Sequence, residues 1–249
     1  MNENLLIKKI KTYETEYISF MNLEKFPDYE IDTKKVSLAI ANKQGYEAVA
    51  TTRYLPQTGK HTLIISTNII AEKQLLFHEF THMLDAEIYV NGDKMRYAWL
   101  SGYTEYHASQ IELMQMLGVK NINAVTNFSM NDTVTTLAGE KKVAQYVADK
   151  RQHAISLFER KDFPADLATL KTAIGVLYNY WGLRSICELY SDDYVEIVNN
   201  NTFLQYISTQ IFCETNNLMH GWLNTEQIEY SIKQYMGIIF PLVQKYKLI

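Results

Sequence analysis

The stretch LLFHEFTHMLD, residues 75–85, carries two histidines four positions apart, with a glutamate directly after the first. The apolar spacing around this stretch predicts a helix over about 71–90. Positions four apart in a helix lie on the same face, one turn above each other. His78 and His82 would therefore present two imidazoles to one point in space, and Glu79 would project beside that point.

Two imidazoles on one helix face suit a zinc ion, which binds such nitrogens at about 2 Å. A carboxylate that lies beside the ion without binding it can take a proton from a water molecule, which is the physical content of the HExxH motif. We therefore interpret His78 and His82 as metal ligands and Glu79 as the general base. The alternative is a core or surface helix with two idle histidines.

A catalytic zinc needs a third protein ligand and one open position for water. A metzincin-type histidine would lie six residues after His82, where this chain has Ile88. The next option is a glutamate on a second helix, which Glu105 can supply. Glu112 is the rival third ligand, because it lies seven residues later on the same helix face. A solvated or salt-bridged glutamate is the other interpretation of Glu112.

The boundaries of that second helix bear on the choice of ligand. We expect a short connection over 94–103, then a helix capped by Ser101 or Thr104 that runs to residue 117. Glu105 would lie in the first turn of this helix, close to the point where the chain returns toward the histidines. This position favours Glu105 over Glu112.

The motif HEFTH, followed by EYHA from Glu105 onward, resembles the gluzincin pattern of thermolysin-like and ImmA/IrrE-like zinc peptidases. The resemblance covers about residues 62–117 and implies a zincin-like fold with Zn²⁺ as the cofactor. It implies the metal ligands His78, His82 and Glu105 and the general base Glu79. Ser109 stands where thermolysin-like proteins have an aspartate, and its hydroxyl could still hydrogen-bond a ligand histidine.

Other polar residues have no role that spacing alone can assign. Asp85 shares the face of the two histidines and could orient a ligand, or it could be an ordinary carboxylate near a helix end. His107 faces away from Glu105. The residues that could stabilise an oxyanion opposite the metal are Tyr103, Tyr178, Tyr180, His153 and His220.

Strand signals precede the HExxH helix. Residues 46–54 and 62–67 are predicted to form a hairpin, and 36–42 a further strand. From about residue 134 onward only helical segments are predicted. These signals predict an α+β fold class that is mostly helical, and the resemblance implies that its small sheet is zincin-like and precedes an active-site helix. Residues 1–133 would form the zincin-like domain, and 134–249 a helical domain or subdomain completing the cleft.

Composition excludes several classes of function. The chain has 249 residues and a net charge of −4, and it has no strongly basic stretch that would bind nucleic acid. No run approaches the ~20 apolar residues that span a bilayer, and the N-terminus does not resemble a signal peptide. Cys187 and Cys213 are not in a CxxC pair, which fits a reducing cytosol. We expect a cytoplasmic protein. The sequence is rich in Lys, Asn, Ile and Tyr, which is typical of bacterial proteins.

These observations together predict a zinc-dependent peptidase. It would hydrolyse a peptide or protein substrate with metal-activated water and a glutamate general base. One alternative is an ImmA-like regulatory protease that is specific for one protein partner. Another is a catalytically inactive zincin-fold protein that binds partners.

Overall fold

The computed structural model of the chain describes residues 3–36, 49–69, 71–124 and 126–248. These residues form an α+β structure that is mostly helical, which confirms the predicted fold class. The helices are α1 (Glu3–Met21), α2 (Lys73–Tyr89), α3 (Lys94–Met116), α4 (Val143–Phe158), α5 (Leu167–Tyr190), α6 (Asn201–Leu204), α7 (Thr209–Leu218) and α8 (Thr225–Tyr246). The strands are β1 (Tyr29–Lys34), β2 (Ala50–Leu55), β3 (Lys60–Ser66), β4 (Thr133–Thr136) and β5 (Gly139–Lys142).

A three-stranded sheet precedes the HExxH helix, in the order β1-β3-β2. Strands β2 and β3 are antiparallel, which confirms the predicted hairpin, whereas β1 is parallel to β3. The turn of the hairpin includes Gly59, whose φ of 66° is one that a glycine adopts without strain. Apart from Val36, the strand predicted over 36–42 lies outside the described residues, as do residues 46–48 of the predicted hairpin.

Helix α2 is fixed by a cluster of aromatic side chains from α1 and the segment after it. The ring of Tyr17 packs edge to face on Phe77, with 5.2 Å between centroids. Its hydroxyl donates to the Oγ1 of Thr81 at 3.1 Å. Phe26 and Phe80 meet with their centroids 5.4 Å apart. Burial of each large apolar side chain contributes about 1.5–3 kcal/mol, so these contacts hold one side of α2 in place.

Helix α3 begins earlier than the sequence predicted. The carboxylate of Asp93 accepts hydrogen bonds from two backbone N–H groups of the first turn, which starts the helix at once. The connection predicted over 94–103 is therefore wrong. Helices α2 and α3 are separated by a short turn that includes Gly92, whose φ is 76°. Glu105 lies in the middle of α3 and not at its start. The helix ends before Gly118, as predicted.

A short hairpin replaces the helix that was predicted from about residue 134. Strands β4 and β5 pair in an antiparallel manner from Thr133 opposite Lys142 to Thr136 opposite Gly139. The Oγ1 of Thr136 donates to the carbonyl oxygen of Gly139, whose φ of 100° closes the turn. The prediction of helices alone in this region is wrong here, because this local turn competes with helix initiation.

The described residues cluster into two compact units. The first comprises the described residues of the ranges 1–97 and 111–125 and holds the three-stranded sheet with α1 and α2. The second comprises the described residues of the ranges 98–110 and 126–249 and holds the small hairpin with the later helices. The domain boundary after residue 133 stays a prediction, since this division describes compactness and not independent folding. No helix in the described ranges is both long enough and apolar enough to cross a membrane.

Within the second unit, α5 approaches α3 closely at a glycine. A Cβ atom on Gly182 would overlap the carbonyl oxygen of Tyr106 and would lie 3.0 Å from the Cβ of Ser109. One turn earlier, the hydroxyl of Ser109 donates to the Oδ1 of Asn179 at 2.6 Å. The absent side chain at Gly182 therefore sets how closely the two helices pack.

We predict that Gly182→Ala destabilises the protein by roughly 1–3 kcal/mol, because a backbone oxygen cannot move away from the added methyl group. Gly175→Ala is the matched control on the same helix. Its Cβ would make only ordinary contact with Glu105, at 3.6 Å from Cγ, so the alanine should keep or raise the melting temperature. Equal melting temperatures for the two variants in thermal unfolding would contradict this description of the packing.

Candidate metal centre

Helix α2 places His78 and His82 side by side. Their ring centroids are 4.7 Å apart, and the ring planes are inclined at 77°. The ring of His78 is buried, with 9% of the residue exposed, while His82 is half-buried. This arrangement follows directly from the spacing of four residues in a regular helix.

Glu105 of α3 joins the two histidines. The potential ligand atoms of His78, His82 and Glu105 all lie within 4.8 Å of one another. The sequence placed Glu105 in a first helical turn, and that reason for preferring it is wrong, because α3 starts eleven residues earlier. Nevertheless, Glu105 is the glutamate that the structure groups with the histidine pair, and Glu112 is not part of this group.

The chemistry of these donors fits a zinc ion. Two histidine nitrogens and one carboxylate oxygen, with a fourth position for water, are one of the ligand sets found in catalytic zinc sites. Donor atoms at about 2 Å from one metal are about 3–4 Å apart. A group held within 4.8 Å could therefore close around an ion with small rotations of the side chains.

Glu79, the predicted general base, follows His78 on α2 and is buried, with 7% of the residue exposed. Consecutive residues in a helix point about 100° apart, so its carboxylate projects beside the histidine face and not along it. Such a position suits a carboxylate that exchanges protons next to a metal. The role of Glu79 as the base stays a prediction.

Glu112 has a contact that the sequence did not reveal. Its Oε2 lies 2.9 Å from the Nδ1 of His78, and only 4% of the residue is exposed. Of the two interpretations from sequence, solvated or salt-bridged, the solvated one is wrong, because the carboxylate pairs with a histidine. Glu112 is also not a member of the group with Glu105. The available signal was its position two turns after Glu105 on the same face of α3.

Other candidates are engaged elsewhere or enclosed in the core. The hydroxyl of Ser109 donates to Asn179, so it does not give its proton to a ligand histidine. Tyr178 and Tyr180 are almost wholly buried, which keeps their hydroxyls from a substrate. His220 lies 2.7 Å from a carboxylate oxygen of Glu188. Asp85 is buried on α2.

Comparison of the chain with protein families, curated proteins and solved structures finds no match. The interpretation of the centre therefore depends on the geometry of its own residues.

We predict that the purified protein binds about one zinc ion per chain and that His78→Ala, His82→Ala and Glu105→Ala each weaken binding severely. Each loss should exceed the roughly 10–100-fold effect that follows loss of an outer-shell partner. His153→Ala, which changes an exposed histidine of α4, should bind zinc like the wild type. Elemental analysis and titration against a competing chelator measure these affinities. If Glu105→Ala keeps wild-type affinity, Glu105 is not a ligand.

Proposed function

We propose that this protein is a zinc-dependent peptidase of the gluzincin type. The observation that carries the proposal is the convergence of two histidines and one glutamate within 4.8 Å, with a buried glutamate directly after the first histidine. This is the donor set of a hydrolytic zinc site, and it comes with a candidate base in the required place.

His78, His82 and Glu105 would hold the ion, and three protein ligands leave one position for water. A zinc ion held there would supply Lewis acidity, which would lower the pKa of its water molecule to about 7 and polarise the carbonyl group of the scissile bond. The three side chains have a second task, which is to keep this centre in one geometry relative to Glu79. Their attachment to the long helices α2 and α3 supports such rigidity.

Glu79 would act as the general base and then as the acid. Its carboxylate takes a proton from the attacking water and passes it to the nitrogen of the leaving amine. The proton that Glu79 accepts from water is the one that it later donates, so one carboxylate can serve both steps. Its burial supports this role, since a base shielded from bulk solvent exchanges its proton with the substrate.

Two alternatives make different predictions. A regulatory protease of the ImmA-like kind would cleave one protein partner and leave general peptides intact. A catalytically inactive zincin-fold protein would cleave neither. A panel of fluorogenic peptides and unfolded casein, followed by mass spectrometry of any products, distinguishes these possibilities from a peptidase of broad specificity.

We predict that Glu79→Gln keeps the fold and the bound zinc but slows peptide hydrolysis by roughly 10²–10⁴-fold, because the amide has nearly the shape of the carboxylate and cannot accept the proton. Glu87→Gln is the matched control: it is the same change on the same helix, at a side chain that is 55% exposed. This control should retain wild-type activity.

Two results would count against the proposal. Hydrolysis by Glu79→Gln at the wild-type rate would show that Glu79 is not the base. Failure of the zinc-loaded wild type to cleave any peptide or protein in the panel would reject a broad peptidase and favour a narrower or non-catalytic role.

A further inference from the structure

We propose that Glu112 is a positioning residue, which holds the imidazole of His78 in the tautomer and orientation that leave its Nε2 open to a metal. This inference rests on the proposed function of the centre. It assigns Glu112 a role that differs from both interpretations considered from sequence, which were a rival third ligand and a solvated or salt-bridged glutamate.

The first argument is the hydrogen bond itself. The Oε2 of Glu112 lies 2.9 Å from the Nδ1 of His78, and both residues are buried. An ionised carboxylate can only accept a hydrogen bond, so the proton of the pair belongs on Nδ1. A neutral histidine with its proton on Nδ1 has its ligating lone pair on Nε2, and a carboxylate partner also makes that nitrogen a better ligand.

The second argument separates the two glutamates of α3. Seven residues rise about 10.5 Å along a helix, so Glu105 and Glu112 share a face but lie at different levels. Glu105 belongs to the group of potential ligand atoms, and Glu112 contacts a ring nitrogen of His78 from outside that group. One helix thus supplies both a ligand and the partner of another ligand.

The third argument concerns the cost of burial. A carboxylate that is 4% exposed is expensive to bury unless it is hydrogen-bonded, and the imidazole of His78 supplies such a bond. Ser109 stands where thermolysin-like proteins have an aspartate. Its hydroxyl donates to Asn179 and not to a ligand histidine. Glu112 therefore supplies from one turn further along α3 the carboxylate that Ser109 cannot.

The test compares Glu112→Ala, Glu112→Gln and Glu105→Gln with the wild type. Zinc affinity is measured by chelator competition, and the Nδ1–H proton of His78 is observed by NMR in protein labelled with ¹⁵N-histidine. Glu112→Ala should lower zinc affinity about 10–100-fold and lose the hydrogen-bonded Nδ1–H signal. Glu112→Gln, whose amide oxygen still accepts a hydrogen bond, should restore part of both. Glu105→Gln should lose more affinity but keep the signal.

A matched control is Glu87→Ala, which removes a different contact between a glutamate and a histidine, that of Glu87 with the Nε2 of His61 at 3.3 Å. It should leave zinc affinity unchanged. The proposal is overturned if Glu112→Ala binds zinc like the wild type with the Nδ1–H signal intact. It is equally overturned if both Glu112 variants lose zinc as completely as Glu105→Gln, since Glu112 would then be a ligand.

Neither readout depends on catalysis. If zinc affinity and the NMR signal respond as described but the wild type cleaves no substrate, the peptidase proposal fails and the role of Glu112 stands. If the wild type cleaves peptides but its zinc affinity does not depend on Glu112, the peptidase proposal stands and the role of Glu112 fails. Glu112→Gln has nearly the size of the native residue, so it reports on the role even if the alanine variant unfolds.

Discussion

His78 and Glu79 of α2 are both buried, and the rest of the candidate centre depends on how that burial is compensated. Imidazole and carboxylate groups taken from water cost several kcal/mol unless they are hydrogen-bonded, paired or bound to a metal. Glu112 compensates part of this cost from α3 through its bond to His78. The aromatic contacts around Tyr17 and the strands before α2 fix the helix, so that these polar groups meet in one arrangement.

Parts of the fold with a strong local signal were predictable from the sequence. The hairpin of β2 and β3 has strand-forming residues on both sides of a turn with Pro and Gly, and α2 has clear helical periodicity. Two errors arose where a single short-range contact decides the outcome. Asp93 caps α3 eight residues before Ser101 and eleven before Thr104, the two predicted caps, and Thr136 closes a turn with Gly139 where a helix was expected.

The parts of the candidate centre that lie within one helix were predictable from sequence, and the parts that depend on packing between helices were not. The pairing of His78 with His82 needs only one helix, and spacing alone gave it. The choice between Glu105 and Glu112 depends on how α3 lies against α2, which no short pattern encodes. Spacing put both carboxylates on one face, but only the structure assigns them different partners, one among the potential ligand atoms and one at the Nδ1 of His78.

The most direct test of this account is X-ray diffraction from zinc-soaked crystals, with data collected on both sides of the zinc absorption edge. The account predicts one strong anomalous peak about 2.0–2.2 Å from the Nε2 of His78, a ring nitrogen of His82 and a carboxylate oxygen of Glu105. The carboxylate of Glu112 should remain on the Nδ1 of His78. A peak bound by Glu112 in place of Glu105, or no peak at this histidine pair under saturating zinc, would contradict the account.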